Sequence, residues 1–319
     1  MRKFLIKLFV YAVLLSALTA AVNLYYLNQL NKDKYLDVPD GIEICNFGSS
    51  HGQLGFNYKD FRGKYICSNF ALSSQSLLYD YRVLLHYRDK IKPGAYAFIV
   101  VSYFTLFGPP EVEEASFLSK NKRYYRLLPP ELITNYDRMT DLYVNYLPAL
   151  SFEGMRALIR FMLFGEEIYC EHFNLDRSAW DRSVVNSTVS GDAVQAYMRH
   201  ITEQLGRDGK RMRSQEAFDS LYALIDLCRE IGAIPILVTV PCTRVYIDTI
   251  RKNDPEFFAD FYAVIDEIKQ KKNIEYYDYA SDERFCDDLN LFLNSDHLNR
   301  EGARRFTNIL LREALGITP

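Results

Sequence analysis

The stretch Asn46–Gly52, written NFGSSHG, places two serine hydroxyls and an imidazole directly after the apolar run GIEIC. Serine catalysis needs a hydroxyl, a base that takes its proton, a group that orients the base, and hydrogen-bond donors for the oxyanion. Ser49 and Ser50 offer the hydroxyl on this turn. A strand-to-helix loop without any chemistry has the same composition, so the rest of the chain has to supply the base.

Five histidines are candidates for the base, and their positions favour His297. His86 falls on an amphipathic helix pattern, and His172 and His200 lie in a long segment between the strand patterns. His51 adjoins the serines, and we expect an adjacent residue on a turn to point elsewhere. His297 lies in the polar loop NSDHLNREG before the last helix, which can return to the sheet edge where the serines lie.

Apolar runs alternate with amphipathic helix patterns along most of the chain. Strands are predicted at Ile42–Phe47, Tyr65–Leu72, Ala95–Ser102, Ile234–Val240 and Ile274–Tyr279. Continuously apolar strands are typical of parallel sheets, which are buried on both faces. The alternation therefore predicts an α/β fold: a doubly wound three-layer sandwich with a central parallel sheet.

The N-terminus predicts a membrane segment. The run Leu8–Leu27 is uncharged and apolar, and about 20 such residues can span a bilayer as a helix. Arg2, Lys3 and Lys7 precede it, which favours a cytoplasmic N-terminus and an outward-facing remainder. Two alternatives stay open: an uncleaved signal anchor, favoured by the length of the run, and a signal peptide cleaved near Thr19–Ala21.

The predicted organisation is a signal anchor at residues 1–28, a polar linker at 29–41 and one α/β domain at 42–319. Residues from about 108 to 210 show helical patterns and form a predicted insertion.

A net charge of −3 with intermixed signs argues against nucleic acid as a partner. No nucleotide motif and no metal-ligand spacing is present, so we expect no cofactor and no metal. Cys45, Cys67 and Cys242 fall in apolar runs, which predicts buried free thiols.

Three blocks of the sequence resemble the SGNH/GDSL hydrolases: GSS after the first strand, NFALSSQS after the second, and SDHLNREGA before the last helix. The resemblance covers about residues 42–106 and 214–315. It implies Ser50 as the nucleophile, with Ser49 at the position of the family's aspartate. The family's oxyanion glycine corresponds to Ser74, so the resemblance implies that the backbone N–H groups of Ser50 and Ser74 hold the oxyanion. It implies His297 as the catalytic base and, for the sheet, the SGNH/flavodoxin-like strand order.

After the third strand, this chain departs from the family's pattern. The family places an asparagine after the third strand, where its side chain completes the oxyanion hole. This chain has VVSYFTLFG there. Either Ser102 or Tyr103 substitutes through a hydroxyl, or the hole is one donor short, which costs about 10²–10³ in rate.

This chain also departs from the family's pattern at the acidic residue near the histidine. The family's aspartate stands three residues before the histidine, and this chain has Asn294 there, with Asp296 directly before His297. Three alternatives follow. Asp296 orients the ring, another carboxylate such as Asp278 or Asp282 does so, or the site works as a Ser–His dyad.

The resemblance implies acyl-ester chemistry on a glycan. The expected protein is a membrane-anchored serine esterase or O-acyltransferase that acts on acyl esters, foremost acetyl esters, of a cell-envelope or exported polysaccharide. Its catalytic domain is expected outside the cytoplasm, in the periplasm or at the cell surface. Expected partners are the acylated glycan, the membrane and a membrane-embedded acyltransferase. The alternative is a catalytically inactive SGNH-like scaffold in an envelope polysaccharide assembly.

Overall fold

The computed structural model of this chain describes residues 1–31, 38–108, 121–166, 168, 180–184, 186–206 and 209–319. The chain divides into two compact units. Met1–Asp37 and Ala115–Asn174 form the first, here named the N-terminal unit. Val38–Glu114 and Leu175–Pro319 form the second, the α/β unit. The predicted insertion at residues 108–210 is therefore shared between the two units.

The α/β unit contains a five-stranded sheet in the order β2-β1-β3-β4-β5, and every neighbouring pair is parallel. Its strands are β1 (Ile42–Phe47), β2 (Cys67–Asn69), β3 (Ile91–Val100), β4 (Ile234–Thr239) and β5 (Glu275–Asp278). The predicted α/β class and the parallel sheet are confirmed. Doubly wound sheets use this strand order, and their ligand sites form beyond the carboxyl ends of the strands.

The described residues form ten α-helices. In chain order they are α1 (Arg2–Leu30), α2 (Ser50–Gly55), α3 (Leu77–Tyr87), α4 (Arg138–Asp141), α5 (Phe152–Phe164), α6 (Asn186–His200), α7 (Gln215–Glu230), α8 (Arg244–Asn253), α9 (Phe257–Lys272) and α10 (Arg300–Leu315). Short 3₁₀ segments lie at Tyr58–Phe61, Arg88–Lys90, Asn121–Arg126, Pro130–Leu132, Pro148–Leu150, Thr202–Gln204 and Leu289–Leu291, and a π-helical segment lies at Leu142–Tyr146. Helices α7, α8 and α10 each begin after a Ser, Thr or Asn whose side chain accepts a backbone N–H of the first turn.

Helices pack on both faces of the sheet, because the strands bury side chains in both directions. On one face, Phe98 of β3 shares a core with Phe306 of α10. On the other face, Phe47 of β1 stacks on Phe70 with 5.3 Å between ring centroids, and Phe70 stacks on Tyr87 of α3. The sheet is therefore the middle of three layers.

Strand β2 is shorter than the predicted Tyr65–Leu72 and ends at Asn69. The reason is local, since the side-chain Oδ1 of Asn69 accepts the backbone N–H of Ala71 at 3.0 Å. A side chain that bonds its own backbone two residues on competes with the strand ladder and turns the chain.

The N-terminal unit contains α1, which is 29 residues long. Within the described parts of the chain, α1 is the one helix long and apolar enough to cross a membrane, and a signal sequence would have the same character. It continues to Leu30, two residues into the predicted linker, and residues 32–37 of that linker lie outside the described residues. Its last turns at Tyr26 and Leu30 pack with Ala149 and Ile168 of the same unit.

Candidate active site

Helix α2 begins at Ser50, directly after β1, and carries this serine at the carboxyl edge of the sheet. Gly48 before it has a φ of 133°, and a Cβ there would lie 2.9 Å from the Cβ of Val100 on β3. A Cβ on Gly52 would lie 2.7 Å from the Cβ of Ala71. Glycine at these two positions therefore lets the first turn of α2 pack directly against its neighbours.

Two asparagines on adjacent strands hold α2 in place. The Nδ2 of Asn46 donates to Oδ1 of Asn69 at 2.9 Å and to the Gly52 carbonyl at 3.2 Å. The Nδ2 of Asn69 is shared between the carbonyls of Gly52 and Gln53, at 3.3 and 3.2 Å. These bonds satisfy carbonyls near the end of a short helix and tie the helix to β1 and β2. Sequence reasoning assigned no role to Asn46, although it stands in the same stretch as Ser50.

His297 lies in a loop closed by an antiparallel bridge between Phe292 and Leu298. Thr243, which follows β4, ties this loop to the sheet. Its Oγ1 and its backbone N–H both donate to the carbonyl of Ser295, at 2.7 and 3.0 Å. The loop therefore returns to the carboxyl edge of the sheet, which is where α2 begins.

The structure brings Ser50 and His297 into direct contact. The Oγ of Ser50 lies 2.8 Å from Nε2 of His297. The other ring nitrogen, Nδ1, lies 3.0 Å from Oδ1 of Asp296 and 3.0 Å from Oδ1 of Asn294. With its proton on Nδ1, the imidazole donates to these oxygens and accepts the serine hydroxyl at Nε2. A nucleophile, a base and an orienting carboxylate in a hydrolase have this arrangement.

Of the three carboxylates considered from the sequence, Asp296 is the one that contacts His297. Asp278 accepts instead from a tyrosine hydroxyl at 2.6 Å, and Asp282 forms an ion pair with an arginine. The Oδ1 of Asn294 also accepts the backbone N–H groups of Asp296 and His297, at 3.2 and 2.9 Å. Asn294 therefore shapes the turn on which the imidazole sits.

Two histidines that sequence reasoning set aside surround the same carboxylate. The Nε2 of His51 lies 3.4 Å from Oδ2 of Asp296, and its ring meets that of His297 edge-on at 4.6 Å between centroids. The Nε2 of His200, at the end of α6, lies 3.6 Å from the same oxygen, and its ring stacks on Phe104. Successive helical residues point about 100° apart, so His51 can reach the far side of the carboxylate. A prediction that α2 begins at Ser50 would have shown that His51 can face Asp296. No pattern in the sequence indicated that His200 lies near this carboxylate.

Burial and mutual contact set the charges in this cluster. Burial by itself raises the pKa of Asp296, but the contacts with His297 and His51 outweigh it and hold the pKa well below its ordinary value. Burial lowers the pKa of His51, and the hydrogen bond to Asp296 opposes this in part. Burial lowers the pKa of His200 to about 3. At neutral pH, Asp296 is therefore ionised and both flanking histidines are neutral, each with one N–H to donate.

The predicted oxyanion donors lie in different surroundings. Ser74 has a φ of 56°, in the left-handed region that favours glycine, and glycine is the residue that the SGNH pattern has at this position. Ser102 is buried, and its Oγ has no hydrogen-bond partner among the described residues. Tyr103 packs its ring edge-on against phenylalanines of α9, and none of its described ring contacts is with Ser50 or His297.

The same cluster offers ligands for a cation. One ligand atom from each of His51, Asp296 and His297 lies within 4.8 Å of the other two. Imidazole nitrogens and carboxylate oxygens are ligands that zinc accepts. A bound ion would take the lone pairs that now form hydrogen bonds, so a hydrogen-bonded triad and a metal centre are alternative uses of these residues. The spacing in the sequence did not indicate this cluster.

The cysteines of the described chain are poor competitors for the role of nucleophile. Those described are all free: Cys45, Cys67, Cys228, Cys242 and Cys286. Burial raises the pKa of Cys67 and of Cys228 to about 12, and a protonated thiol is a weak nucleophile. Free, buried thiols are confirmed at Cys45 and Cys242, while Cys67 is half-buried. Cys170 and His172 lie outside the described residues.

Comparison with protein-family models and with curated proteins finds no match for this chain. The resemblance to SGNH/GDSL hydrolases rests on the three sequence blocks alone.

Proposed function

We propose that this protein is a membrane-anchored serine esterase or O-acyltransferase that acts on acyl esters, foremost acetyl esters, of a cell-envelope or exported polysaccharide. The observation that carries the proposal is the 2.8 Å contact between Ser50 Oγ and His297 Nε2, with Asp296 at the other ring nitrogen. A half-buried hydroxyl, an imidazole and a buried ionised carboxylate in this order fit acyl transfer. The glycan substrate and the outward location come from the SGNH resemblance and from the apolar helix α1.

Acylation of the enzyme begins when Ser50 Oγ attacks the ester carbonyl and its proton passes to Nε2 of His297. Asp296 accepts a hydrogen bond from Nδ1–H and stabilises the imidazolium that forms. The backbone N–H groups of Ser50 and Ser74 are the proposed donors to the oxyanion. When the tetrahedral intermediate collapses, the C–O bond to the sugar breaks, and Nε2 returns the proton to the departing sugar oxygen.

The second half of the reaction releases the acyl group from Ser50. His297 takes a proton from an incoming hydroxyl, whose oxygen attacks the acyl carbonyl, and then returns the proton to Ser50 Oγ. Water as the incoming group completes hydrolysis. A sugar hydroxyl completes transfer of the acyl group to a second glycan.

Asn294 and Asp296 divide the work of the family's single aspartate in this proposal. An amide oxygen accepts a hydrogen bond from Nδ1–H as a carboxylate does, but it carries no charge to stabilise an imidazolium. Asp296 supplies that charge. Asn294 keeps the turn that aims the ring, because it accepts two backbone N–H groups of the loop.

Labelling with a fluorophosphonate probe, together with hydrolysis of p-nitrophenyl acetate by the full chain in detergent, tests the proposal. We expect the wild type to be labelled and active, and Ser50→Ala and His297→Ala to lose both properties. Ser49→Ala is the matched control, because it removes the neighbouring hydroxyl on the same turn and should keep labelling and turnover. Labelling that survives in Ser50→Ala would refute the nucleophile. A folded wild type with neither labelling nor turnover would favour the inactive scaffold.

Chelation separates the triad from a metal centre built on the same residues. If Ser50 and His297 act as proposed, dialysis against EDTA leaves ester hydrolysis unchanged. Excess Zn²⁺ then inhibits, because an ion on His51, Asp296 and His297 takes the imidazole away from Ser50. Loss of activity in EDTA that Zn²⁺ restores would instead support a metal-dependent hydrolase.

A further inference from the structure

Exposed apolar side chains are concentrated in the N-terminal unit. Those of its segment beyond α1 are Met139, Leu142, Tyr143, Tyr146, Leu150, Phe152, Met155, Ile159, Met162, Leu163 and Phe164. In the described part of the α/β unit, the exposed large apolar residues are scattered: Ile66, Val194, Met198, Leu205 and Ile234. Water-soluble surfaces rarely carry large contiguous apolar patches, so the surface of the N-terminal unit indicates a partner.

Helix α5 has two apolar faces with different surroundings. The inner face, with Ala157, Leu158 and Phe161, packs on the cluster that contains Tyr26 and Leu30 of α1. The outer face carries Phe152, Met155, Ile159, Met162 and Leu163. The first four recur at the helical spacing of three or four residues, and Leu163 directly follows Met162. Phe152 and Met162 on this face are each 78% exposed, so the described unit leaves them uncovered.

A charged edge runs along α5 beside the outer face. Glu153, Arg156 and Arg160 follow one another at spacings of three and four residues and are exposed. Arg160 also pairs with Glu166 at 2.8 Å. An apolar face bordered by arginines is typical of helices that lie in a membrane–water interface, where the cations meet lipid phosphates.

The contacts of α5 with α1 place it at one depth along the proposed membrane segment. The ring of Phe161 lies 5.7 Å from that of Tyr25, at the end of the uncharged run that follows Lys7. Just before it, the Asn23 side chain bonds backbone of the segment preceding α5: Nδ2 donates to the Tyr146 carbonyl, and Oδ1 accepts the Ala149 N–H at 3.1 Å. About 20 residues cross the hydrocarbon core, so Tyr25 falls at its far boundary, where tyrosines are enriched.

We infer that α5 is an interfacial helix that lies in the plane of a phospholipid bilayer at the C-terminal end of α1. Its outer face enters the acyl-chain boundary, and Arg156 and Arg160 lie at the level of the headgroup phosphates. The lipid surface is the chosen occupant because α5 packs directly on the proposed membrane segment, through the contact of Phe161 with Tyr25, and so lies beside the bilayer. The inference rests on the membrane anchoring in the proposed function and is independent of the ester chemistry.

Depth-dependent quenching of tryptophan fluorescence tests this inference in the full chain. Trp180 is the one tryptophan of the sequence, so Trp180→Phe supplies a background without tryptophan. Into it, Phe152→Trp and Met162→Trp introduce reporters at both ends of the outer face. Glu153→Trp reports on the charged edge, and Leu14→Trp reports on the exposed middle of α1. The protein is reconstituted into phosphatidylcholine–phosphatidylglycerol vesicles whose acyl chains carry bromine either near the headgroup or near the chain end.

We expect the reporters at Phe152 and Met162 to lose most of their emission with bromine near the headgroup and to be quenched alike, because the helix lies in the plane. The Glu153 reporter should be quenched less, and the Leu14 reporter should be quenched most by bromine near the chain end. Quenching at Leu14 with water-like emission at both outer-face positions would overturn the inference and leave the anchor intact. Blue-shifted outer-face emission that neither lipid quenches would overturn it in favour of a protein partner or second copy. An unquenched Leu14 reporter would refute the anchor and the inference together, whatever the esterase assay gives.

Discussion

The Nε2 of His51 lies 3.4 Å from Oδ2 of Asp296, whereas His297 contacts the other oxygen of the same carboxylate. The carboxylate beside His297 is therefore itself held from the opposite side. Rotation of the Asp296 side chain would break one contact or the other. In the proposed mechanism, His51, directly after the nucleophile, would therefore act on His297 through Asp296, as a positioning residue.

Replacing Asp296 by Asn should lower kcat for p-nitrophenyl acetate by up to about 10⁴, because an amide carries no charge to stabilise an imidazolium. Replacing Asn294 by Ala should lower kcat by at least about tenfold, the scale of the one uncharged hydrogen bond lost at Nδ1 of His297, because the turn also loses the acceptor of two backbone N–H groups. Both values come from steady-state hydrolysis by purified full-length variants. A larger loss in Asn294→Ala than in Asp296→Asn would move the orienting role to Asn294.

Replacing His51 by Phe should lower kcat by about tenfold, since it removes one donor to Asp296 and keeps an aromatic ring. Because the hydrogen bond from His51 lowers the pKa of Asp296, its loss should also shift the acidic limb of the pH–rate profile to higher pH. His51→Gln is the matched variant, because its amide N–H can still donate. If Phe and Gln gave the same profile as the wild type, His51 would have no positioning role.

The stability of the protein should fall as the pH drops below about 6.5, where an unfolded histidine takes up a proton. Folded His200 has its pKa lowered by burial to about 3, so between these values the unfolded state binds more protons. Each such proton gives a slope of about 1.4 kcal/mol per pH unit. Burial also lowers the pKa of His51, so this histidine likewise makes the stability fall as the pH drops. Asp296, with its lowered pKa, contributes stability that is fully present above the pKa of an unfolded aspartate, about 3.9, and is lost progressively as the pH falls from there through its folded pKa.

Urea denaturation at several pH values measures this dependence. His200→Gln should reduce the slope of the free energy of unfolding against pH by about 1.4 kcal/mol per pH unit, the contribution of one proton. Ser50→Ala removes a neighbouring side chain that does not titrate in this range and should keep the wild-type slope. An unchanged slope in His200→Gln would show that this histidine is protonated in the folded state as readily as in the unfolded chain.

Replacing Gly52 by Ala should lower the free energy of unfolding by about 1–3 kcal/mol, as overpacking does in a tight interior. The new Cβ would lie 2.7 Å from the Cβ of Ala71 and 3.0 Å from the Phe47 carbonyl oxygen. Gly191→Ala on α6 is the control, because apart from its own helix turn no atom of the described residues lies within 4 Å of a Cβ placed there, and alanine should stabilise the helix by about 0.5–1 kcal/mol. Equal effects of both changes in thermal denaturation would contradict the tight packing of α2.

Local pattern in the sequence was sufficient for the fold class. The continuous apolar run of β4 predicted a strand buried on both faces. In Ser214–Ile231, apolar residues such as Phe218, Leu221 and Ile225 recur at helical spacing, which predicts a helix, and the structure has α7 at Gln215–Glu230. The apolar run after Lys7 likewise predicted α1. These features depend on which residues near one another in the chain are apolar, and periodicity reports that directly.

The three sequence blocks that resemble the SGNH/GDSL hydrolases also predicted that Ser50 and His297 act together. Only the tertiary structure decided which residues surround them. The choice of Asp296 over Asp278 depends on how a loop folds onto the end of β4. The approach of His51 to that carboxylate joins residues 245 positions apart. Hydrogen bonding requires a fit of a few tenths of an ångström near 3 Å. The packing of the helices and loops around the sheet sets such distances, and the local pattern of apolar residues carries no record of them.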